Sequence, residues 1–267
     1  MKRVQLFEFE DFSWFPSIWR STMTKIIVVL HRLLGTKEVL SNLLLQMHIA
    51  YPFDQVVDLG SGSGGAMPMT MNHLNTQLPD LDLKLLLTDL HPNMAFVEDF
   101  NQSANDRLQY HPKPVDATDL HKTPAGLKTM VNSFHHMPPQ IAKQILASAQ
   151  ENRQAILIYE MAENKIPTVV WALLLPISLP IVAIMAIFFV PFVKPLSWKD
   201  LLFTWLIPVI PIFYAWDGQA SLPRMYTFKD IQNHLLPEQI EGYTWEMAPA
   251  KKQNDKTLGY YIKGLPT

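Results

Sequence analysis

Residues 56–65 read Val56-Val57-Asp58-Leu59-Gly60-Ser61-Gly62-Ser63-Gly64-Gly65. A short apolar run passes straight into glycines that alternate with serines. Only a residue without a β-carbon takes positive φ freely and lets a ligand rest on the main chain. A helix that begins after such a turn directs its first N–H groups at whatever docks there. The stretch therefore predicts a buried strand, a bare turn and a helix, with a nucleotide-like ligand over the strand end.

Strands and helices alternate outward from this point. The reading places strands at 55–59, 83–88, 108–115, 129–134 and 155–160, and helices at 65–77, 93–105 and 139–151. The strands are short continuous apolar runs, the pattern of a sheet covered on both faces. Alternating βα units imply a parallel sheet with right-handed crossovers. Two further strands, 243–247 and 258–262, flank the polar turn Lys251-Lys252-Gln253-Asn254-Asp255-Lys256. They read as a terminal antiparallel hairpin. Upstream of the sheet lie an aromatic N-terminus (Phe7, Phe9, Phe12, Trp14, Phe15, Trp19) and two helices, about 17–34 and 38–48, separated by Gly35. The fold class expected is α/β: a Rossmann-like, mostly parallel sheet with an antiparallel C-terminal hairpin strand, an N-terminal helical cap and an apolar helical insertion after strand five.

The insertion stands out by charge. Charged residues make up only 17% of the chain, below the usual quarter, and the deficit is local. Ile166–Val193 and Leu201–Trp216 hold none, while Lys194, Lys199 and Asp200 sit in the joint between them. The first segment is long enough to span a bilayer at about 20 residues per crossing, and the second is short. Prolines 176, 180, 191, 208 and 211 are expected to kink both. A single crossing would strand the last two strands across the membrane from the sheet they must join. Two crossings would export a joint with two lysines, against the positive-inside tendency. The expectation is a proline-broken helical pair that dips into or lies along one leaflet, with a buried helical subdomain as the competing reading. The domains read as 1–50, an N-terminal helical lid; 51–165, the ligand-binding core; 166–216, the membrane-associating insertion; and 217–267, completion of the core sheet.

Composition excludes several chemistries. The chain has 267 residues, no cysteine and a net charge of −2. Thiolate nucleophiles, disulfides and cysteine-held metals are absent, no metal site is read, and no basic field argues for nucleic acid. Met1-Lys2-Arg3 opens like a signal peptide, but Glu8, Glu10 and Asp11 follow in place of a long apolar run, so no cleaved signal is expected.

The run Asp58-x-Gly60-x-Gly62-x-Gly64 resembles the first motif of class I S-adenosylmethionine-dependent methyltransferases. The resemblance covers roughly residues 50–162 and returns in the final hairpin, which is similar to that family's antiparallel seventh strand. It implies S-adenosylmethionine as cofactor. Gly60, Ser61, Gly62 and Gly64 would then carry its methionine part beside Asp58, and Asp89, in Leu-Thr-Asp89-Leu90, would hold the ribose hydroxyls. Asp116, followed by Ala117, would face the adenine amino group, and Asn132 would line the methionine end. A carboxylate is a pure acceptor and can take two hydroxyl donors at once. The competing reading for the aspartates is structural: Asp58 tying down the glycine loop, Asp89 and Asp116 acting as solvated caps. The spacing Gly60-x-Gly62-x-x-Gly65 also satisfies the dinucleotide fingerprint, so an NAD(P)-dependent oxidoreductase stays open. A non-catalytic, membrane-anchored cofactor-binding module stays open too.

Two further groups bear on chemistry. Strand four runs into Val131-Asn132-Ser133-Phe134-His135-His136-Met137. The resemblance puts this point next to the departing methyl, and His136 or His135 would take the acceptor's proton, since histidine titrates near neutrality. After the apolar block come Tyr214, Trp216, Asp217, Gly218, Ser221, Arg224 and Tyr226. Trp216, Asp217 and Arg224 are read as binding a substrate head group, against an Asp217–Arg224 pair and an interfacial Trp216 as structural alternatives. The acceptor expected is a lipophilic small molecule, met at the cytoplasmic face of a membrane.

Overall fold

The computed structural model describes residues 1–103 and 105–267. The chain opens with helices α1 (Ser17–Leu34) and α2 (Thr36–Ala50), separated by Gly35 at φ 73°. Then follow β1 (Gln55–Leu59), α3 (Met67–Gln77), β2 (Lys84–Thr88), α4 (Met94–Ser103), β3 (Leu108–Tyr110), β4 (Leu127–Val131), α5 (Pro139–Glu151) and β5 (Ile156–Glu160). The insertion supplies α6 (Thr168–Phe189), α7 (Trp198–Leu201) and α8 (Val209–Arg224). The short α9 (Phe228–Asp230), β6 (Tyr243–Lys251) and β7 (Thr257–Pro266) end the chain.

The seven strands form one sheet in the order β3-β2-β1-β4-β5-β7-β6. Strands β1 to β5 run parallel, and β7 enters antiparallel between β5 and β6. The expected architecture, a parallel sheet finished by an antiparallel hairpin, is what the chain adopts. The parallel strands need both faces covered, and residues such as Val56, Leu85, Leu127, Ile156 and Leu157 are fully buried or nearly so. Asn75 of α3 sets the start of the second strand by accepting from Leu83 N–H and donating to Leu83 C=O.

Several boundaries differ from the sequence expectation. β3 stops after three residues because Pro112 and Pro114 cannot donate to a ladder. β4 ends at Val131, and Asn132, at φ 54°, turns the chain into a 3₁₀ turn over Phe134–His136. The hairpin strands run longer than expected, with Pro249 accommodated on the edge strand beside a register shift.

The chain divides into two compact units: a helical unit of Met1–Leu34 with Glu163–Thr227, and a sheet unit of Gly35–Ala162 with Phe228–Thr267. These bounds differ from the domains drawn from sequence. α2 belongs with the sheet, because Val39, Leu40, Leu44 and Met47 join the core cluster that holds Met71 and Leu74 of α3. α1 belongs with the insertion, where Met23, Ile26 and Val29 pack with Ala186, Val190, Ile210 and Tyr214. The aromatic N-terminus packs there too: Phe9 and Phe15 lie 4.5 Å and 5.3 Å from Phe213, ring centre to ring centre.

Within the helical unit the prolines act unequally. α6 runs unbroken through Pro176 and Pro180, against the expected kinks. Its flank is tied to α8, with Trp171 Nε1 donating to Gln219 O at 3.0 Å and Ser178 Oγ to Gln219 Oε1 at 3.0 Å. Neighbouring helices can hold a proline-bearing helix in this way. The sharp break comes near Pro208, where Trp198–Leu206 and Val209–Arg224 meet at 82°, as expected where a proline bars the preceding residue from helix.

Candidate active site

The glycine turn is built from the ends of β1 and β2. Gly62 and Gly64 sit at φ 52° and 87°, backbone that side-chain-bearing residues seldom adopt. Their surroundings separate their tasks. A β-carbon at Gly64 would press on Leu87 at 3.2 Å and Pro68 at 3.3 Å, so this glycine serves packing. One at Gly62 would meet nothing within 4 Å, so the main chain there is open on its outer side. The Gly62 peptide groups are fixed from both flanks: Asp89 Oδ2 accepts from Gly62 N–H at 3.0 Å, and Tyr110 Oη donates to Gly62 C=O at 2.9 Å. Burial, first, and then the Asp89 and Asp58 carboxylates raise the Tyr110 hydroxyl's pKa, so it stays a donor. Tyr110 was not singled out by sequence reading, because a strand-end tyrosine carries no motif.

Asp58 lies beneath the turn. Its Oδ1 accepts from Thr129 Oγ1 at 2.7 Å, and Ser61 Oγ sits 2.7 Å from Oδ2. Ser61 Oγ also accepts from Thr88 N–H at 3.2 Å. Asp58 is thus the buried tie that holds the loop, the structural alternative raised for it. Burial pushes its carboxyl up to about 7, opposed by the Ser61 and Thr129 hydrogen bonds.

The other rim residues come together by backbone bonds. Asp89 is half-buried at the end of β2 and also caps its own turn, with Oδ1 accepting from His91 N–H at 2.8 Å. Val115 N–H donates to Asp89 C=O at 2.9 Å, which brings the segment carrying Asp116 and Ala117 to the same strand end. Asp116 is exposed and accepts from Thr118 N–H and Oγ1. Leu90 is exposed beside Asp89. Asn132 bridges two strands: its N–H donates to Tyr159 C=O, and its Oδ1 accepts from Met161 N–H at 2.7 Å.

The two histidines have distinct settings. Ser133 Oγ donates to Leu59 C=O at 3.3 Å and pins their turn beside Gly60. His135 is buried, and the carboxylate of Glu160, at the end of β5, holds it twice. Oε1 accepts from His135 N–H at 3.0 Å, and Oε2 lies 2.8 Å from Nδ1. A carboxylate only accepts, so in this contact Nδ1 is the donor. His136 is less buried, with its ring centre 4.3 Å from that of His135. Glu160 was missed in the sequence, where a lone glutamate ending an apolar strand gives no sign of its partner.

The expected head-group residues are engaged inside the helical unit. Asp217 accepts from the N–H groups of Phe9 and Glu10 at 2.7 Å and 3.1 Å. Arg224 reaches Asp11 Oδ2 at 2.6 Å and Glu8 Oε1 at 3.2 Å. Asp217 and Arg224 therefore do not pair with each other. Trp216 Nε1 donates to Phe7 C=O, and its ring stacks on Phe7 at 4.9 Å.

No protein-family model and no curated protein sequence matches the chain. Solved structures share its course at low identity. The pyocyanin biosynthetic protein PhzM is 12% identical over 83% of this chain and 53% of its own, at a TM-score of 0.43. The plantazolicin methyltransferase BamL is 9% identical over 93% of this chain and 97% of its own, at 0.47. Human N-acetylserotonin methyltransferase is 10% identical over 96% of this chain and 59% of its own, at 0.46. The chain spans about half the length of PhzM. At such scores the likeness assigns nothing to this chain, and the functional reading rests on its own residues.

Proposed function

We propose that the chain is an S-adenosylmethionine-dependent methyltransferase that modifies a lipophilic, membrane-derived small molecule at the cytoplasmic face of a membrane. One observation carries the methyl-transfer reading. Neighbouring strand ends present an open glycine backbone with an acceptor carboxylate, Gly62 with Asp89, beside a histidine oriented by a buried carboxylate, His135 with Glu160.

The cradle fits such a cofactor, because the outer side of Gly62 has room for a ligand. Gly60 and Gly62 would carry its methionine part, Asp89 its ribose hydroxyls and Asp116 its adenine amino group. When bound, S-adenosylmethionine supplies a methyl group on a positively charged sulfur. His135 Nε2 takes the proton of the attacking acceptor group, and Glu160 holds the ring and offsets the charge it gains. Proton removal of this kind contributes about 10²–10⁴-fold in rate. Asp58 and Tyr110 keep the loop in place without touching the reacting atoms.

The membrane part rests on the helical unit. At about 1.5 Å per residue, the 22 residues of α6 extend about 33 Å, and Val169, Leu173, Ile177, Ile181, Ile184 and Phe188 are exposed along it. The strands before and after the insertion share one sheet, so the chain leaves and returns on one side. This favours a helical pair that lies along one leaflet, or dips into it and returns, over a single crossing.

Calorimetric titration with S-adenosylhomocysteine and with NADH, followed by incubation with labelled methyl donor and a total lipid extract, tests the reading. Homocysteine-nucleoside binding and label in the organic phase are expected. Tight NADH binding without the other would overturn it in favour of the oxidoreductase. Label confined to aqueous metabolites would remove the lipid acceptor, and binding without any turnover would leave a binding module.

A further inference from the structure

The connection between α6 and α7 has a composition unlike the rest of the insertion. Phe192, Leu196 and Trp198 are exposed, at 65%, 46% and 67%, and alternate with exposed Lys194 and Lys199. Lys199 Nζ lies 5.9 Å from the centre of the Trp198 ring. Asp200 is the one acidic residue between Glu163 and Asp217, and it does not neutralise these lysines. It is fully buried and turned inward, where Oδ2 pairs with Lys25 Nζ at 3.1 Å and Oδ1 accepts from Thr22 Oγ1 at 2.6 Å. Oδ2 also caps the connection itself through Ser197 N–H and Oγ. The result is a pinned loop whose outward charge is wholly positive, set among apolar and aromatic side chains.

We propose that residues 192–199 form a docking surface for an anionic lipid headgroup layer, with Phe192, Leu196 and Trp198 entering the interface and Lys194 and Lys199 meeting lipid phosphates. The inference rests on the membrane reading above and specifies which leaflet chemistry the insertion seeks. Aromatic rings are favoured at the headgroup level, and exposed lysines gain from a negative surface. The pair of half-buried Lys25 with buried Asp200 fixes the loop to α1, so the lysines are presented without the ordering cost that a mobile loop would bear.

The test is flotation of the full-length protein with vesicles of phosphatidylcholine alone and of phosphatidylcholine with about a third phosphatidylglycerol. The wild type is expected to partition more strongly onto the anionic vesicles, and half-molar salt should erase the preference, since a Debye length there is only a few ångströms. Lys194→Ala with Lys199→Ala should lower partition onto anionic vesicles roughly 30-fold and change partition onto neutral ones less than twofold. The salt series on the wild type needs no variant to fold. Equal binding to both vesicles with no effect of the double variant would overturn this docking surface while leaving membrane association intact. No binding to either vesicle would overturn both.

Discussion

The two units of this molecule differ in what they expose: each buries an apolar cluster, but the helical unit leaves far more large apolar side chains uncovered. The sheet unit hides apolar side chains and uses its few buried charges, Asp58 and Glu160 among them, to hold a turn and a histidine at the strand ends. The helical unit buries charges beside its apolar cluster and shows apolar side chains at its surface. Its Glu8, Asp200, Asp217 and Arg224 are buried, while most of the exposed large apolar residues among those described belong to it. The membrane proposal above draws on these exposed apolar side chains. Under the proposed function the contrast assigns proton transfer to the sheet and partition into an apolar phase to the helices.

The largest effect expected concerns the sheet unit alone. His135→Ala should lower kcat by about 10²–10⁴-fold while S-adenosylhomocysteine affinity, read by calorimetry, stays within a few-fold. His136→Ala should cost far less, because the Glu160 carboxylate orients His135. Glu160→Gln supplies a second readout. A neutral amide can donate to Nδ1 and select the other tautomer, so the variant should lose rate and shift the pH–rate profile while still binding the cofactor. If His136→Ala were the more damaging change, the assignment of the base at the end of β4 would reverse.

That assignment marks the limit of what the sequence made legible. The turn at 60–65 and its flanking strands were readable because glycine and β-branched residues are local in their effects. Asp89 and Asp116 were readable by their places after strands. The Glu160–His135 and Tyr110–Gly62 bonds were not, since each joins residues far apart in the chain through a parallel pairing that no local pattern encodes. In the helical unit the same limit produced a different outcome. Asp217 and Arg224 were legible as a polar cluster after an apolar block, yet their partners, Glu8, Phe9, Glu10 and Asp11, come from the opposite end of the chain. The prolines were readable as breaks, yet α6 runs through two of them along a flank hydrogen-bonded to α8.

The next effect bears on the helical unit. Removing one partner of a buried charge pair costs about 3–5 kcal/mol, because the remaining charge is stranded. Arg224→Ala should therefore destabilise the protein by about that amount in denaturant melts. It should also speed proteolytic cleavage within residues 1–16, whose Glu8 and Asp11 it holds. Arg224→Lys should restore part of the stability, as a cation that lacks the planar fork. A raised KM with unchanged stability would instead return Arg224 to a substrate role and blur the division between the two units.

The smallest effect isolates Asp58, whose carboxyl burial holds at about 7 against about 3.9 in an unfolded chain. Between these values the folded protein keeps a proton that the unfolded chain has lost, so the folded state binds more protons and stability falls as pH rises through the window. One proton corresponds to about 1.4 kcal/mol per pH unit. The wild type should therefore lose about 2 kcal/mol from this group between pH 5.5 and pH 7. Asp58→Asn has no proton to release, and its amide can still meet Ser61 and Thr129. Its stability should be flatter across the same window, with the difference from wild type read by urea melts at each pH. Parallel curves for the two proteins would show that the carboxylate is ionised throughout, satisfied by its two hydroxyl donors, and that the tie beneath the glycine turn is an ionic acceptor.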